Sequence, residues 1–213
     1  VPSHSVKTVS ENILPFLKSD ENVHFLSVIK GIDTSSMKTM TEMICSVIPF
    51  AEKNISVLSG PSFAIEVFNK KPTAVVVASQ NRLAAETMQK LFTNEYFRVY
   101  TSKDIRGVEL GGSLKNVFAI ACGISDGLKM GDNAKSTLIT RGMRELVNLG
   151  TLLGGKKETF FGLTGIGDLI TTCFSKNSRN RLFGEQISRG DNPDEAFRKI
   201  KSSVEGYRTT LSA

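Results

Sequence analysis

Residues suited to metal sites and disulfide frameworks are scarce in this sequence. Its 213 residues include two histidines and three cysteines. Cys45, Cys122 and Cys173 are odd in number, widely spaced and embedded in apolar sequence, so we expect reduced core cysteines in a cytosolic protein. His4 and His24 lie far from the cysteines in unrelated contexts. No metal site is therefore predicted.

Long apolar runs and clustered positive charges are also missing. No run approaches the roughly 20 apolar residues that a membrane span needs, and no signal peptide is visible. The 27 basic and 21 acidic residues give a net charge of +6, but they are interspersed. There is no Lys/Arg run or aromatic ladder of the kind that nucleic-acid surfaces show. The modest positive charge fits a small anionic ligand at least as well as it fits a nucleic acid.

Strands and helices alternate in the first half of the sequence and give way to helices in the second. Because strands separated by helices favour a parallel, doubly wound sheet, we predict one up to about Lys103. The β-rich runs are residues 23–30, 55–58, 73–79 and 97–100, and the later helical patterns are residues 107–126, 133–153, 178–188 and 193–200. The predicted fold class is α/β plus all-α, with a partial Rossmann-type parallel sheet followed by a helical domain. The sheet belongs to a predicted domain of residues 1–104 and the helices to a second domain of residues 105–213.

Residues 107–126 are apolar nearly throughout, with a single lysine, Lys115, in the middle. This pattern predicts a buried helix, on which Gly111, Lys115, Ala119 and Gly123 project along one almost bare face. Glycine inside a helix costs about 1 kcal/mol relative to alanine, so another backbone, a cofactor or a substrate should approach closely. Burial would lower the pKa of Lys115 and suit it to exchange a proton with a substrate oxygen. The alternative is helix packing, with Lys115 extending to water.

Two polar positions lie near the ends of predicted strands. Lys30 follows residues 23–29, and ligands of α/β sheets gather at strand carboxyl ends. Gly60 permits a sharp turn after the next strand, Pro61 fits the first helical position, and Ser62 lies beside exposed N–H groups. Either feature could equally be an ordinary strand end or strand-to-helix turn.

Residues 165–169, GIGDL, superficially suggest a dinucleotide fingerprint. We reject that interpretation because Ile170 occupies the place of the third glycine and no convincing strand precedes it. Asp168 instead opens an apolar helix with Thr172 one turn later, which places a carboxylate and a hydroxyl on one face. The alternative role of Asp168 is a helix cap.

The segment Ser178, Arg179, Asn180 and Arg181 begins a predicted helix. A serine cap, free backbone N–H groups, the helix dipole and a guanidinium together suit a phosphate group. Solvated arginines without a ligand are the alternative. Asn116, next to Lys115, could add a neutral hydrogen-bond donor.

Taken together, these segments resemble the NAD(P)-dependent glycerol-3-phosphate dehydrogenases, in particular the bacterial-type branch, along nearly the whole chain. The motifs that carry the resemblance are VIKGID, LSGPSFAIEV, GGSLKNVFAIACGISDGLKMGDNAK, GLTGIGDLITTC, SRNR and VEGYRTT. The resemblance implies reversible hydride transfer between NAD or NADP and dihydroxyacetone phosphate, giving sn-glycerol 3-phosphate and linking glycolysis to glycerophospholipid synthesis.

The resemblance also implies roles for individual residues. Lys115 would donate and accept the proton at the carbonyl oxygen, with Asp168 as its catalytic neighbour. The implied substrate-binding residues are Lys30, Asn116, Thr172, Ser178, Arg179 and Asn180. The implied cofactor-binding residues are Lys30, Gly60, Ser62, Ala64, Arg179 and Glu205. A homodimer is expected on the same basis, and a cytoplasmic location is the default.

The amino end departs from the family, which begins with a strand, a G-x-G-x-x-G turn and the first half of the Rossmann domain. We therefore expect an internal portion of a longer enzyme, and the choice between NAD and NADP stays open. Two other functions remain: a related hydroxyacid or ketopantoate-type reductase, which SRNR argues against, and a catalytically silent product that binds a phosphate ester.

Overall fold

The computed structural model describes residues 1–18, 23–200 and 203–212. Its first part is a four-stranded sheet in the order β1-β2-β3-β4. The strands are β1 Phe25–Ser27, β2 Ile55–Ser59, β3 Thr73–Ala78 and β4 Phe97–Ser102, and the helices of this part are α1 Val6–Ile13, α2 Met40–Val47, α3 Ala64–Phe68 and α4 Arg82–Phe92.

Strand directions confirm the predicted fold class, with one difference. Strands β1 and β2 pair in parallel, as do β3 and β4, whereas β2 and β3 are antiparallel, with Val57 opposite Ala78. A parallel crossover is usually made by a helix long enough to span the sheet. Helix α3 between β2 and β3 has only five residues, which suits a reversal of the chain. The sheet is thus mostly rather than wholly parallel.

The sheet is stabilised by apolar packing against α4. The apolar face of α4 contributes Ala85 and Met88 to a cluster with Val75, Val77 and Val99 of the two neighbouring strands. All five side chains are buried. Because branched side chains fit a pleated, covered surface, this composition explains why the valine-rich run of β3 forms an inner strand.

The second part of the chain is helical and is built around α5. Its helices are α5 Ile105–Gly127, α6 Asp132–Leu152, α7 Lys157–Phe160, α8 Asp168–Phe174, α9 Arg179–Ser188, α10 Pro193–Ile200 and α11 Glu205–Ser212, with a π-helical turn at Leu163–Gly167. Helix α5 contacts α6, α8, α9 and α11. The buried helix predicted from the apolar run is confirmed, whereas the π-helical turn, α7 and α11 were not predicted.

A single carboxylate organises the junction between the two parts. Asp104 caps α5 by accepting a hydrogen bond from the backbone N–H of Gly107 at 2.9 Å. It also accepts from the backbone N–H of Lys156 at 2.9 Å and from Thr159 Oγ1 at 2.6 Å. The change from strands to helices thus falls where the sequence predicts a domain boundary, although that division itself stays a prediction. Ala213, its predicted end, lies outside the described residues.

In the described part of the chain, no helix is long and apolar enough to cross a membrane.

Candidate active site

A cavity of about 370 Å³ lies between the sheet and the helices around α5. Its wall combines strand-end and turn residues of the first part with residues of the helical part. The residues that line it are Val28, Lys30, Leu58, Ser62, Phe63, Ala64, Lys115, Asn116, Asp168, Thr172, Asn177, Ser178, Arg179, Asn180, Ser203 and Glu205. The structure therefore brings every predicted site residue to this wall except Gly60. The carbonyl oxygen of Gly60 accepts a hydrogen bond from Lys30, which does line the cavity.

Lys115 lies on α5 at one end of this cavity, which we call the reacting end. Its Nζ is 2.9 Å from Asp168 Oδ1 and donates a hydrogen bond to Thr172 Oγ1 at 2.5 Å. Its side chain is 5% exposed. Because its ammonium group is held by α8, Lys115 does not extend to water.

Asp168 lies between two lysines. Its Oδ2 is 2.5 Å from Nζ of Lys30, whose ammonium also donates to the Gly60 carbonyl oxygen at 3.0 Å. Asp168 is the first residue of α8, and its carboxylate bonds these ammonium groups. The interpretation of Asp168 as a mere helix cap is therefore wrong.

Burial sets the protonation equilibrium of Lys115. Loss of hydration, the largest cause, and the positive charge of Lys30 together lower its pKa from 10.5 to about 8, while Asp168 opposes the shift. Near neutral pH the ammonium form predominates, yet the neutral amine is within reach. Such a group can both donate and accept a proton.

Backbone packing explains the bare face of α5. A Cβ at Gly111 would lie 2.6 Å from the carbonyl oxygen of Thr164, and one at Gly123 only 1.9 Å from that of Arg181. A Cβ at Gly112 would lie 2.5 Å from Ser59 Oγ. Of the three causes considered for this face, the structure shows the close approach of another backbone.

The start of α9 forms another part of the cavity wall, which we call the anion end. Ser178 caps the helix, its Oγ accepting from the backbone N–H of Arg181 at 3.2 Å. Arg179 is exposed at the first helical position. The side chain of Asn180 donates to Asn116 Oδ1 at 2.9 Å and accepts from the backbone N–H of Gly206 at 2.9 Å. The anion end thus joins α9 to α5 and α11.

The turn after β2 supplies one wall of the cavity. Gly60 has φ +136°, a conformation that favours glycine, and Ser62 Oγ donates to its carbonyl oxygen at 3.0 Å. Helix α3 begins at Ala64, so the prediction that Pro61 occupies the first helical position is wrong. The extended backbone of Phe63 ahead of the helix carries Ser62 and Ala64 to the cavity.

Glu205 lies at the start of α11 and faces the amino-terminal segment. Its carboxylate accepts from the backbone N–H of Ser3 at 3.0 Å and from Ser3 Oγ at 2.5 Å. Sequence reasoning missed this contact, since nothing local links residues 202 positions apart. It also missed Phe63 and Ser203 as lining residues, although both lie within or beside the motifs already noted.

The described cysteines are free thiols. Cys122 and Cys173 are buried, and Cys45 is partly buried. Among the described residues, no group of three histidines, cysteines or carboxylates is arranged to hold a metal ion.

Two family models match the sequence. The model described as NAD-dependent glycerol-3-phosphate dehydrogenase C-terminus matches residues 104–213, and its N-terminus counterpart matches residues 1–85. Glycerol-3-phosphate dehydrogenase (NAD(P)+) of Thermoanaerobacter sp. strain X514 is 48% identical over all 213 residues of this chain and 63% of its own length. The Fusobacterium nucleatum protein of the same name is 45% identical with the same coverage.

Solved structures show the same fold. The crystal structure of glycerol-3-phosphate dehydrogenase from Coxiella burnetii matches with a TM-score of 0.91 and 39% identity, over 99% of this chain and 64% of that one. A structure from Dunaliella salina matches with a TM-score of 0.90 at 23% identity, over 99% of this chain and 37% of that one, which shows the fold alone. This chain spans about 63% of the length of the curated relatives.

Proposed function

Because this chain belongs to the NAD-dependent glycerol-3-phosphate dehydrogenase family, we propose that it interconverts dihydroxyacetone phosphate and sn-glycerol 3-phosphate with NAD or NADP. One observation carries the proposal. The Lys115–Asp168–Lys30 chain of ion pairs and the start of α9, with Ser178 and Arg179, line the same cavity. A three-carbon phosphate ester carries a reacting oxygen and a phosphate, and this wall offers a group suited to each.

The anion end would bind the phosphate. Arg179 can offer two parallel N–H donors to phosphate oxygens, and the start of α9 adds backbone N–H groups and the positive end of the helix dipole. Asn180 and Ser178 line the same wall. A dianionic ester fits this end better than the carboxylate of a hydroxyacid, which supports the dehydrogenase over the related reductases.

Lys115 would transfer the proton. In the direction of reduction, its ammonium group donates a proton to the carbonyl oxygen, which becomes the new hydroxyl. In the direction of oxidation, the neutral amine takes that proton back. A pKa of about 8 makes both forms available close to neutral pH.

The neighbours of Lys115 would hold it and offset charge. Asp168 and Thr172 fix the position of its ammonium group through the contacts at 2.9 Å and 2.5 Å. Negative charge that develops on the substrate oxygen would meet Lys30, Lys115 and the Asn116 amide at one end of the cavity. No large reorganisation is needed, because buried contacts already orient these groups.

The wall around Gly60 fits the reactive end of a nicotinamide cofactor. Ser62 and Ala64 present small side chains to the cavity, so a flat ring could approach Lys115. The further residues proposed to face the cofactor are Lys30, Gly60, Arg179 and Glu205. When bound, the nicotinamide supplies or receives the hydride at the substrate carbon.

We extend the proposal to the setting of the reaction. The division into residues 1–104 of a dinucleotide-binding domain and 105–213 of a substrate domain belongs to it, as do a cytoplasmic location, a homodimer and a link between glycolysis and glycerophospholipid synthesis. Family resemblance supports each of these.

The direct test is oxidation of NADH and NADPH with dihydroxyacetone phosphate. It is measured for the chain itself and for a form extended with the amino-terminal residues of the Thermoanaerobacter relative, each with a Lys115→Met variant. We expect turnover by the extended form that requires Lys115. An extended form that binds the ester but never turns over would leave only the binding function, and turnover of a phosphate-free hydroxyacid alone would favour the reductase.

A further inference from the structure

The two arginines of the SRNR motif have different surroundings. Arg179 is exposed at the cavity, whereas Arg181 is 6% exposed and does not line it. Helical spacing explains the difference, since residues two positions apart point to roughly opposite sides of a helix. Arg181 therefore needs another explanation than direct contact with a phosphate.

Arg181 belongs to a cluster of four charges in which the two bases are buried and the two acids are partly buried. Its Nη1 is 2.5 Å from Asp126 Oδ2 and 2.6 Å from Glu185 Oε1. Asp126 Oδ1 is in turn 2.6 Å from Nζ of Lys135. Two acids and two bases leave the cluster formally neutral, which allows its burial. Asp126 lies on α5 and Lys135 on α6, so the cluster ties the start of α9 to the helical core.

The same guanidinium also holds the turn that leads into α9. Arg181 Nε donates to the carbonyl oxygen of Ser175 at 3.0 Å, an oxygen that also accepts from the backbone N–H of Ser178 at 3.2 Å. Ser178 Oγ accepts from the backbone N–H of Arg181 in return. The side chain and the backbone of Arg181 thus both form hydrogen bonds to the turn of residues 175–178, which ends at the capping serine.

We propose that Arg181 is a positioning residue for the anion end. By joining Asp126 to the carbonyl of Ser175, it fixes the direction of the first turn of α9, so that Ser178 and Arg179 meet a phosphate in one prepared orientation. The inference rests on the proposed function of that end. Preorganisation of this kind raises affinity because less freedom is lost on binding. Only an arginine fork can serve two carboxylates and a carbonyl at once.

Equilibrium titration with glycerol 3-phosphate, and separately with inorganic phosphate, tests this role. In the wild-type chain both probes are expected to bind, and Arg179→Gln to weaken them. Arg181→Gln should raise the Kd of both by about tenfold, the effect of losing one oriented charged contact. Arg181→Lys, which keeps the charge but not the fork, should fall between. Arg189→Gln is the matched control, because it removes the same charge at an exposed position just after α9 and none of the contacts of Arg181.

Thermal unfolding of the same variants separates positioning from folding. If Arg181 only stabilises the fold, its variants melt at a lower temperature but bind both probes with wild-type Kd well below the transition, and the inference is overturned. If Arg181 variants do not fold, Asp126→Asn provides the second test: wild-type Kd in that variant overturns the inference, and a comparable rise supports it. If only Arg179→Gln weakens binding, the inference about Arg181 is overturned and the proposed function stands. If the wild-type chain binds neither probe, the proposed function is overturned as well.

Discussion

The two ends of the cavity hold charge in opposite ways. At the reacting end, the side chains of Lys115 and Asp168 are 5% and 4% exposed, and Lys30 is the only partly exposed member of the ion-pair chain at 24%. At the anion end, Arg179 is exposed and stands at the start of a helix. One end removes water from its charges, and the other leaves its principal charge in contact with water.

This difference assigns different tasks to the two ends. Loss of water changes the free energy of a charged form directly, so the reacting end can shift a pKa. Charge in contact with water is partly screened, and the anion end must gain its affinity from geometry, through a helix start and a forked side chain. Variants of the reacting end should therefore change rate and pH dependence, and variants of the anion end should change affinity.

The largest expected effect is that of Lys115→Met on turnover. Methionine fills a similar volume but cannot exchange a proton, and general acid-base catalysis contributes about 10²–10⁴-fold. We expect kcat of the extended form to fall by about 10³-fold, while the Kd for glycerol 3-phosphate changes little. Lys90→Met, on the exposed side of α4, is the control. An equal loss in both variants, or a loss confined to Kd, would contradict the assignment of the proton to Lys115.

Asp168→Asn removes the carboxylate between the two lysines. Breaking a buried ion pair costs about 3–5 kcal/mol of stability. Because Lys115 also loses the group that holds its ammonium, we expect kcat near neutral pH to fall by about 10²-fold, the lower part of the range for general acid-base catalysis. The negative charge of Asp168 raises the pKa of Lys115, and its removal should lower that pKa below about 8. Reduction needs the ammonium form, so the rate should decline at a lower pH than in the wild type. A pH profile of kcat measures this, and an unchanged profile would show that the carboxylate does not act on Lys115.

The pKa of Lys115 also predicts how stability depends on pH. Its folded-state pKa of about 8 lies below the ordinary value of 10.5, so between these values the unfolded chain holds a proton that the folded chain lacks. The free energy of unfolding should therefore rise with pH across this window, by about 3 kcal/mol in total. Chemical denaturation of the wild type and of Lys115→Met at several pH values isolates this contribution as the difference between them. If the free energy of unfolding of the wild type, relative to that of Lys115→Met, falls with pH, the prediction is wrong.

Arg179→Gln should act at the anion end alone. Hydrogen bonds to charged groups contribute about 1.5–3 kcal/mol, so we expect the Kd for glycerol 3-phosphate to rise by about 10- to 100-fold. Turnover at saturating substrate and the free energy of unfolding should change little, because Arg179 is exposed. Arg144→Gln, at an exposed position of α6, controls for general loss of positive charge. A loss of kcat larger than the change in KM would contradict the prediction that Arg179 affects affinity rather than turnover.

Sequence reasoning succeeded where a pattern has one physical solution. A nearly continuous apolar run had to become a buried helix, so the burial of Lys115 could be predicted, and with it the direction of its pKa shift. The serine before α9 likewise caps the helix as expected. Local chemistry was sufficient for these features.

Features that depend on distant partners could not be predicted. The pairing of Lys30 with Asp168 joins residues 138 positions apart, and the contact of Glu205 with Ser3 spans 202. Nothing within SRNR distinguishes the buried Arg181 from the exposed Arg179 until α5 supplies Asp126. The antiparallel pairing of β2 and β3 also depends on where a short connection can place the chain. These are properties of the packed chain rather than of any segment.

Gly123 tests whether the two ends share one rigid support. A Cβ there would lie 1.9 Å from the carbonyl oxygen of Arg181, so Gly123→Ala must separate α5 from α9 or distort one of them. Overpacking of this kind costs about 1–3 kcal/mol, which thermal or chemical denaturation measures. Because the displaced helix carries the anion end, the Kd for glycerol 3-phosphate should rise, while the pKa of Lys115, two turns away on α5, stays near its wild-type value. Gly167→Ala is the matched control: its Cβ would meet nothing closer than 3.6 Å, and its stability should be close to that of the wild type. A shift in the pKa of Lys115 equal to the change in log Kd would mean that the two ends move together.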